Sequence, residues 1–262
     1  LETRVPFLDN DLVDFAMKAG FEYHSAANDG RIPPMATRLR YNLANTLIYR
    51  KLKPLLGLGG VRLCVSGAAP ISREVIEFFM GLDIMLHEIY GQSEDCGPTT
   101  FNFPGRTRVG TVGVPVPGVE VKIADDGEIC VRGPNVFKGY LKDDAATQAT
   151  MHDGWLLSGD LGAFDDDGFL TITGRKKDII ITAGGKNIAP KNIEAALTNH
   201  PLISQAVVIG DRKRFLSALI TLEPEGAAAW AETHNIAAAD LPTSPKLHTE
   251  IQPWVDAMNA KF

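Results

Sequence analysis

Tyr90-Gly91-Gln92-Ser93-Glu94 sets an aromatic ring, a hydroxyl and a carboxylate within five residues at the end of an apolar run. A ring there can stack on a base, a hydroxyl can reach a phosphate, and a carboxylate can hold Mg²⁺. Ser66-Gly67-Ala68-Ala69-Pro70 follows another apolar run. Its small residues let a flat ring lie against the backbone, and a following helix start favours acceptor or anionic groups. Asp160, beside Gly159 in Trp-Leu-Leu-Ser-Gly-Asp-Leu, reads as a turn carboxylate able to accept two hydroxyls of a sugar. Gly174-Arg175-Lys176-Lys177-Asp178 is a charge run ahead of an apolar stretch, and Gly184-Gly185-Lys186-Asn187 follows that stretch as a tight loop open to a thin ligand. Each motif also has a plain reading: a strand-to-helix turn, a polar loop, a turn aspartate satisfying local amides, a solvated face, a hairpin.

The elements that must position these residues follow a recognisable grammar. Val61–Val65 reads as a short buried strand and 84–90 as another, with a helix capped by Ser72 between them. Strand, turn, helix, strand predicts a parallel α/β sheet, whose ligands bind beyond the carboxyl ends of the strands. From Gly110 to Gly174 the signals are β, with Asp126-Gly127 as a hairpin turn. Asp165-Asp166-Asp167-Gly168 invites a calcium reading, but lacks the DxDxDG spacing and terminal glutamate, so a plain turn is expected. A small α+β unit follows Lys177: a helix from Pro190 to Leu197, strands over 204–209 and 218–222, and a helix over 227–233. Ahead of the sheet, 1–19 reads as a capped helix, 20–33 as a linker, and 38–56 as a helix with Leu39, Leu43, Leu47 and Leu52 near helical spacing.

Composition narrows the function classes. A net charge of −6 and pI near 5.5 gain nothing from a nucleic-acid backbone, so nucleic acid is not an expected partner. No run approaches the roughly 20 apolar residues of a membrane span, and no signal peptide is visible. Cys64, Cys96 and Cys130 are widely spaced and odd in number, so they read as buried free thiols in a reducing, cytoplasmic setting.

Taken in order, GAAP, YGQSE, GEICVRG, WLLSGD, GRKKDIII and AGGKN resemble the adenylate-forming superfamily of acyl-CoA synthetases, luciferases and peptide-synthetase adenylation domains. Residues 32–56 together with GRKKDIIITAGGKN look most like bacterial long-chain fatty-acid CoA ligases. The resemblance implies the end of a large AMP-binding domain over 36–176, a parallel sheet plus a β-rich part, and then a small lid domain over 177–262. It implies that a fatty acid is activated by ATP, with Mg²⁺, to acyl-AMP and passed to coenzyme A. Peripheral membrane contact is open to the full enzyme.

At matching positions, Gly67, Ala68 and Ala69 would line the adenine site. Tyr90 would stack on the base, Gly91 and Gln92 complete that loop, Ser93 would contact phosphate and Glu94 would bind Mg²⁺. Asp160 would hold the ribose, Arg175 would reach the sugar or phosphate, and Lys177 stands at the hinge. Gly184, Gly185 and Lys186 would border the pantetheine channel. The family's phosphate loop and its adenylation lysine have no match here. Lys246 comes too early, before the last helix, and reads as a surface residue. The chain is therefore expected to be a fragment with little activity alone. The alternatives are an adenylation domain that loads a carrier protein and a non-catalytic AMP-binding module. Residues 1–18 resemble a segment of glutamine-dependent asparagine synthetases. Residues 1–35 are expected to be an unrelated segment and linker with no function assigned.

Overall fold

Val13, Ala16 and Ala19 recur at helical spacing and are buried on one side of the first helix, α1 (Asn10–Asn28), in a computed structural model that describes residues 10–261. Ala16 and Ala19 share a core with Ala44, Ile48 and Tyr49. These belong to α2 (Met35–Ala44) and to the π-helical turn that continues it (Asn45–Tyr49) into α3 (Arg50–Leu55). Residues 20–28 are helix, where a linker was expected. Gly20 sits where a Cβ would lie 2.6 Å from the Gly81 carbonyl, and that close packing overrides glycine's weak helix propensity. His24 reaches Asp83 at 2.6 Å, and Tyr41 and Lys53 bind the same carboxylate at 2.7 and 2.5 Å. Burial alone would raise the Asp83 carboxyl, but the bonds from His24, Lys53 and Tyr41 outweigh it and hold the group below the usual carboxylate range. The N-terminal stretch is thus tied to α2, α3 and the turn after α4 (Arg73–Gly81). Half of the asparagine-synthetase-like segment, residues 1–9, lies outside the described residues.

The first sheet runs β1 (Cys64–Ser66), β2 (Leu86–Gln92), β3 (Gly97–Phe101) and β4 (Val114–Pro115) in that order. β1 and β2 are parallel, with Ser66 opposite Glu88; β3 and β4 are antiparallel. Ser72 caps α4 by accepting from the Val75 amide at 3.3 Å. The expected buried strand over 61–65 is displaced: it begins at Cys64, and Val61, Leu63 and Val65 are exposed. Leu39, Leu43 and Leu47 are likewise exposed, and the opposite face of their helix makes the core.

A second sheet forms around β5 (Glu120–Ile123), β6 (Glu128–Arg132), β7 (Met151–His152), β8 (Trp155–Phe164) and β9 (Leu170–Arg175). Ile129, Val131, Leu156 and Leu170 fill its core. A helix, α5 (Asp144–Thr150), interrupts this β-rich stretch. Asp143 caps it by accepting from the Ala146 amide at 2.9 Å, so the reading of purely β signals from 110 to 174 is corrected there. The aspartate turn is closed by Asp165 Oδ1, which accepts from the amides of Asp167 and Phe169, and Arg108 pairs with Asp165 and Asp167.

The chain divides into two compact units at Gly174. The second unit holds the hairpin β10 (Ile180–Ile181) and β11 (Asn187–Ile188), then α6 (Pro190–Leu197). The antiparallel pair β12 (Ile203–Ile209) and β13 (Ser217–Leu222) follows, with α7 (Pro224–His234) and α8 (Pro245–Lys261). Leu202, Ala227, Ala231, Leu241 and Leu247 pack together there. Lys246 lies in the first turn of α8, not before it, and is exposed. All three cysteines are free; Cys130 is buried, but Cys96 is exposed, against the expectation of three buried thiols. Among the described residues no helix is long and apolar enough to cross a membrane.

Candidate functional site

The carboxyl ends of two adjacent parallel strands, β1 and β2, carry Gly67–Ala69 and Tyr90–Glu94. Gly67, Ala68 and Ala69 are exposed, and Ala68 takes a left-handed φ of 69°, which turns the chain toward α4. This is the place where open α/β sheets present ligand-binding loops.

The Tyr90–Glu94 loop is built by contacts within reach of its own backbone. Gly91 sits at a register shift between β2 and β3, where a Cβ would lie 1.8 Å from the Gly97 carbonyl oxygen; only glycine fits. Asp95 is fully buried and acts as the loop's brace. Its Oδ1 accepts from the Gln92 amide at 2.8 Å, the Gln92 side chain accepts in return from the Asp95 amide, and Thr99 donates to Oδ2. Burial raises the Asp95 carboxyl despite those bonds. Ser93 is exposed at the loop tip. Glu94 Oε1 accepts from the Tyr140 hydroxyl at 2.7 Å, and the Glu94 carbonyl accepts from the Phe137 amide at 2.8 Å. Asp95 and Tyr140 escaped the sequence reading. The former was visible as a box in Gln-Ser-Glu-Asp; the latter left no local signal.

Tyr90 and Asp160, 70 residues apart in sequence, meet: the phenolic hydroxyl donates to Asp160 Oδ2 at 2.9 Å. Burial first, and then the Asp160 carboxylate, raises the Tyr90 hydroxyl's pKa well above its ordinary value, so it stays a donor. Asp160 lies inside β8 and not at a turn. The ladder between β6 and β8 slips between Glu128 and Cys130, with Cys130 opposite Leu157 but Glu128 opposite Leu161. Gly159 takes φ 73° in that bulge. The buried Glu128 accepts from the Gly159 amide at 2.8 Å, and Ser158 Oγ accepts from the Asp160 amide at 3.1 Å. A bulge re-aims a side chain that a regular strand would point elsewhere. Glu128 was read only as part of a strand; its pairing across the sheet gives no local pattern.

Glu88 shares the Tyr90 face of β2, since alternate strand residues point one way, and Gln92 follows the register shift. Glu88 Oε2 and Gln92 Nε2 are buried without a hydrogen-bond partner. Burial pushes the Glu88 carboxyl up to about 7, partly offset by the Gly110 amide.

Arg175, Lys177, Gly184, Gly185 and Lys186 belong to the second unit. Arg175 ends β9, and its carbonyl accepts from the amides of Asp178 and Ile179 at 2.9 and 3.1 Å. The turn that follows carries the exposed Lys177. Gly184–Lys186 form the tip joining β10 to β11, closed by the Gly185 amide on the Thr182 carbonyl at 2.9 Å and by the Lys186 amide on Thr182 Oγ1 at 3.1 Å. Among the described residues no group of three or more His, Cys, Asp or Glu side chains is placed to hold a metal ion. One carboxylate is enough where substrate phosphates supply most of a Mg²⁺ shell, and Glu94 at the loop mouth has that chemistry.

Comparison with known proteins addresses the family and the fold. The family model for AMP-binding enzymes matches residues 5–141, and the model for the AMP-binding enzyme C-terminal domain matches 177–262. A long-chain-fatty-acid–CoA ligase, FadD15 of Mycobacterium bovis, is 47% identical over 239 residues, which is 90% of this chain and 40% of that protein. The long-chain ligase ACSBG2 of Xenopus laevis is 41% identical over 81% of this chain and 29% of its own length. Among solved structures, O-succinylbenzoate coenzyme A synthetase of Bacillus subtilis in complex with its acyl-adenylate intermediate is 29% identical, with a TM-score of 0.59, covering 73% of this chain and 44% of that one. The same enzyme in complex with ATP and magnesium is 32% identical, with a TM-score of 0.57, over 62% of this chain and 37% of that one. The chain thus spans well under half the length of the relatives it matches. By both family models, and by an adenylate-forming fold that carries their motifs in order, this chain belongs to the AMP-binding enzyme family.

Proposed function

We propose that the chain carries the nucleoside-binding part of a long-chain fatty-acid CoA ligase together with its lid. In the whole enzyme the fatty carboxylate oxygen attacks the α-phosphorus of ATP and pyrophosphate leaves. The thiol of coenzyme A then attacks the acyl carbon, and AMP leaves. The observation that carries the reading is the Tyr90–Asp160 hydrogen bond, which joins the aromatic loop at the end of β2 to the lone β8 carboxylate.

In this reading the face of Tyr90 and the backbone of Gly67–Ala69 enclose the base. Asp160, aimed by the Glu128-held bulge and by Tyr90, accepts from the ribose hydroxyls. Ser93 donates to a phosphate oxygen from the exposed loop tip. Mg²⁺, when bound beside Glu94, neutralises phosphate charge as it develops. The family resemblance assigns Arg175 to the sugar or phosphate in the whole enzyme, and Lys177 stands next to the division at Gly174, where a swinging lid needs its hinge. Gly184, Gly185 and Lys186 border the thiol's approach.

Solved relatives with ATP and magnesium, or with an acyl-adenylate, support the nucleotide assignment. The names of the fatty-acid ligases support the acyl class. Titration of the purified chain with AMP and ATP tests the reading: saturable binding supports it, and no heat or shift at any concentration rejects it. Acyl-dependent pyrophosphate release is expected to stay at background for the chain alone, because the parts of such a site act together. Robust turnover contradicts that expectation.

A further inference from the structure

We propose that the Tyr140 hydroxyl positions Glu94 for Mg²⁺: it holds Oε1 and so presents the second carboxylate oxygen to the cation that accompanies ATP. The proposal rests on the nucleotide reading, in which Glu94 takes the metal. It adds to that reading a positioning residue that acts through the carboxylate alone.

Tyr140 belongs to the stretch between β6 and α5, which clasps the Ser93–Asp95 turn at three points. Asn135 Nδ2 donates to the Asp95 carbonyl at 3.1 Å, the Phe137 amide donates to the Glu94 carbonyl at 2.8 Å, and the Tyr140 hydroxyl donates to Glu94 Oε1 at 2.7 Å. The first two fix the backbone that carries Glu94. Of the three, only the last reaches its carboxylate. Tyr140 is itself held from two sides. Its amide donates to Thr147 Oγ1 at 2.9 Å, and that hydroxyl donates to the Asp143 carbonyl at 2.9 Å, which ties Tyr140 to α5. Its ring meets Phe137 edge-on, with centroids 4.9 Å apart, and Phe137 packs against the core of the second sheet.

A glutamate side chain has several rotatable bonds, and one at a loop mouth gives up that freedom when it binds a cation. A donor already in place removes part of that cost before the metal arrives. A carboxylate offers about four lone-pair sites on its two oxygens, so one donor on Oε1 leaves room for a cation. A lysine or arginine at the same place would compete with the metal for the negative charge, which a neutral phenol does not. Groups that hydrogen-bond a ligating carboxylate orient it and tune metal affinity. Tyr140 is 37% exposed, and loss of a hydroxyl so placed costs the fold little, so a positioning role separates from a structural one.

The test measures the purified chain's affinity for ATP in excess Mg²⁺ and in EDTA, and for AMP in EDTA. Electron paramagnetic resonance follows Mn²⁺ bound in the presence of ATP. Wild type is expected to bind ATP more tightly with Mg²⁺ than without. Tyr140→Phe keeps the ring against Phe137; it is expected to lower Mn²⁺ affinity in the ATP complex roughly tenfold and to shrink the Mg²⁺ gain in step. AMP affinity in EDTA and the melting temperature should move little, which a merely structural role would not allow. Glu94→Gln is expected to remove the Mg²⁺ gain, and adding Tyr140→Phe to it changes nothing further. Four outcomes overturn the proposal: no Mg²⁺ gain in wild type; a gain unchanged or enlarged in Tyr140→Phe; equal losses of AMP and ATP affinity in that variant; or a full Tyr140→Phe effect in the Glu94→Gln background. Failure of the nucleotide reading is distinct: wild type then binds no AMP in EDTA and the proposal falls with it, whereas failure of the proposal alone leaves AMP binding intact.

Discussion

Tyr90 donates its hydroxyl to Asp160 Oδ2 across 2.9 Å, which fixes an aromatic ring on β2 and a carboxylate on β8 in one arrangement. Neither strand supplies the geometry alone. β2 ends in a loop braced by Asp95, and β8 is bent by a bulge braced by Glu128. Buried carboxylates on either side therefore set the distance between the two candidate nucleoside contacts.

Glu128→Ala removes the acceptor of the Gly159 amide and leaves that donor unsatisfied beside the bulge. Loss of such a bond costs about 1–3 kcal/mol. AMP affinity is expected to fall several-fold as Asp160 loses its aim, whereas Glu128→Gln, which keeps an acceptor oxygen, stays close to wild type. Calorimetric titration paired with thermal melts checks both. Equal affinities for the alanine and glutamine variants would remove Glu128 from the account.

Gly91→Ala places a methyl against the Gly97 carbonyl, where a Cβ would lie 1.8 Å away. The obstacle is backbone, so it cannot turn aside. The β2–β3 ladder must open, at a cost of about 3 kcal/mol or more. Denaturant unfolding should show that loss, together with faster amide exchange in β3. A midpoint unchanged from wild type would mean that the close approach does not exist in solution.

Glu88 gives the chain a pH dependence of defined sign. Its carboxyl is raised from 4.5 to about 7 by burial, so the folded chain holds that proton more tightly than the unfolded one. The contribution to stability is complete below about pH 4.5, declines as pH rises toward 7, and levels off above. The full excursion is worth at most roughly 3 kcal/mol. Glu88→Gln is expected to flatten that part of the stability curve and to melt higher than wild type at pH 8. Parallel curves for the two proteins between pH 5 and 8 would show that the carboxyl is not held this way.

What was legible in the sequence followed how local the cause is. Ser72 as a helix cap, Asp126-Gly127 as a hairpin turn and Pro190 as a helix start rest on neighbouring residues, and the structure has each. Gly67, Tyr90 and Asp160 were nominated by motif order, and the meeting of Tyr90 with Asp160 needed the fold. The bulge that puts Asp160 in a strand was hidden because Glu128 braces it from 31 residues away. α1 was expected to end at Gly20, where the helix in fact continues, packed closely on Gly81 and Tyr49. α5 had a readable cap in Asp143 that the surrounding β pattern obscured. The leucine spacing over 39–52 announced a helix but not its buried side, because α2 is apolar on two sides.

The central claim is that Tyr90 and Asp160 together hold a nucleoside. Titrating AMP into wild type, Tyr90→Phe, Asp160→Ala and the double variant measures it directly. The account predicts saturable binding by wild type, at least a tenfold loss with Asp160→Ala, a smaller loss with Tyr90→Phe, and a double variant no worse than Asp160→Ala alone, since the hydroxyl acts through the carboxylate. Undiminished AMP affinity in a folded Asp160→Ala variant would contradict it.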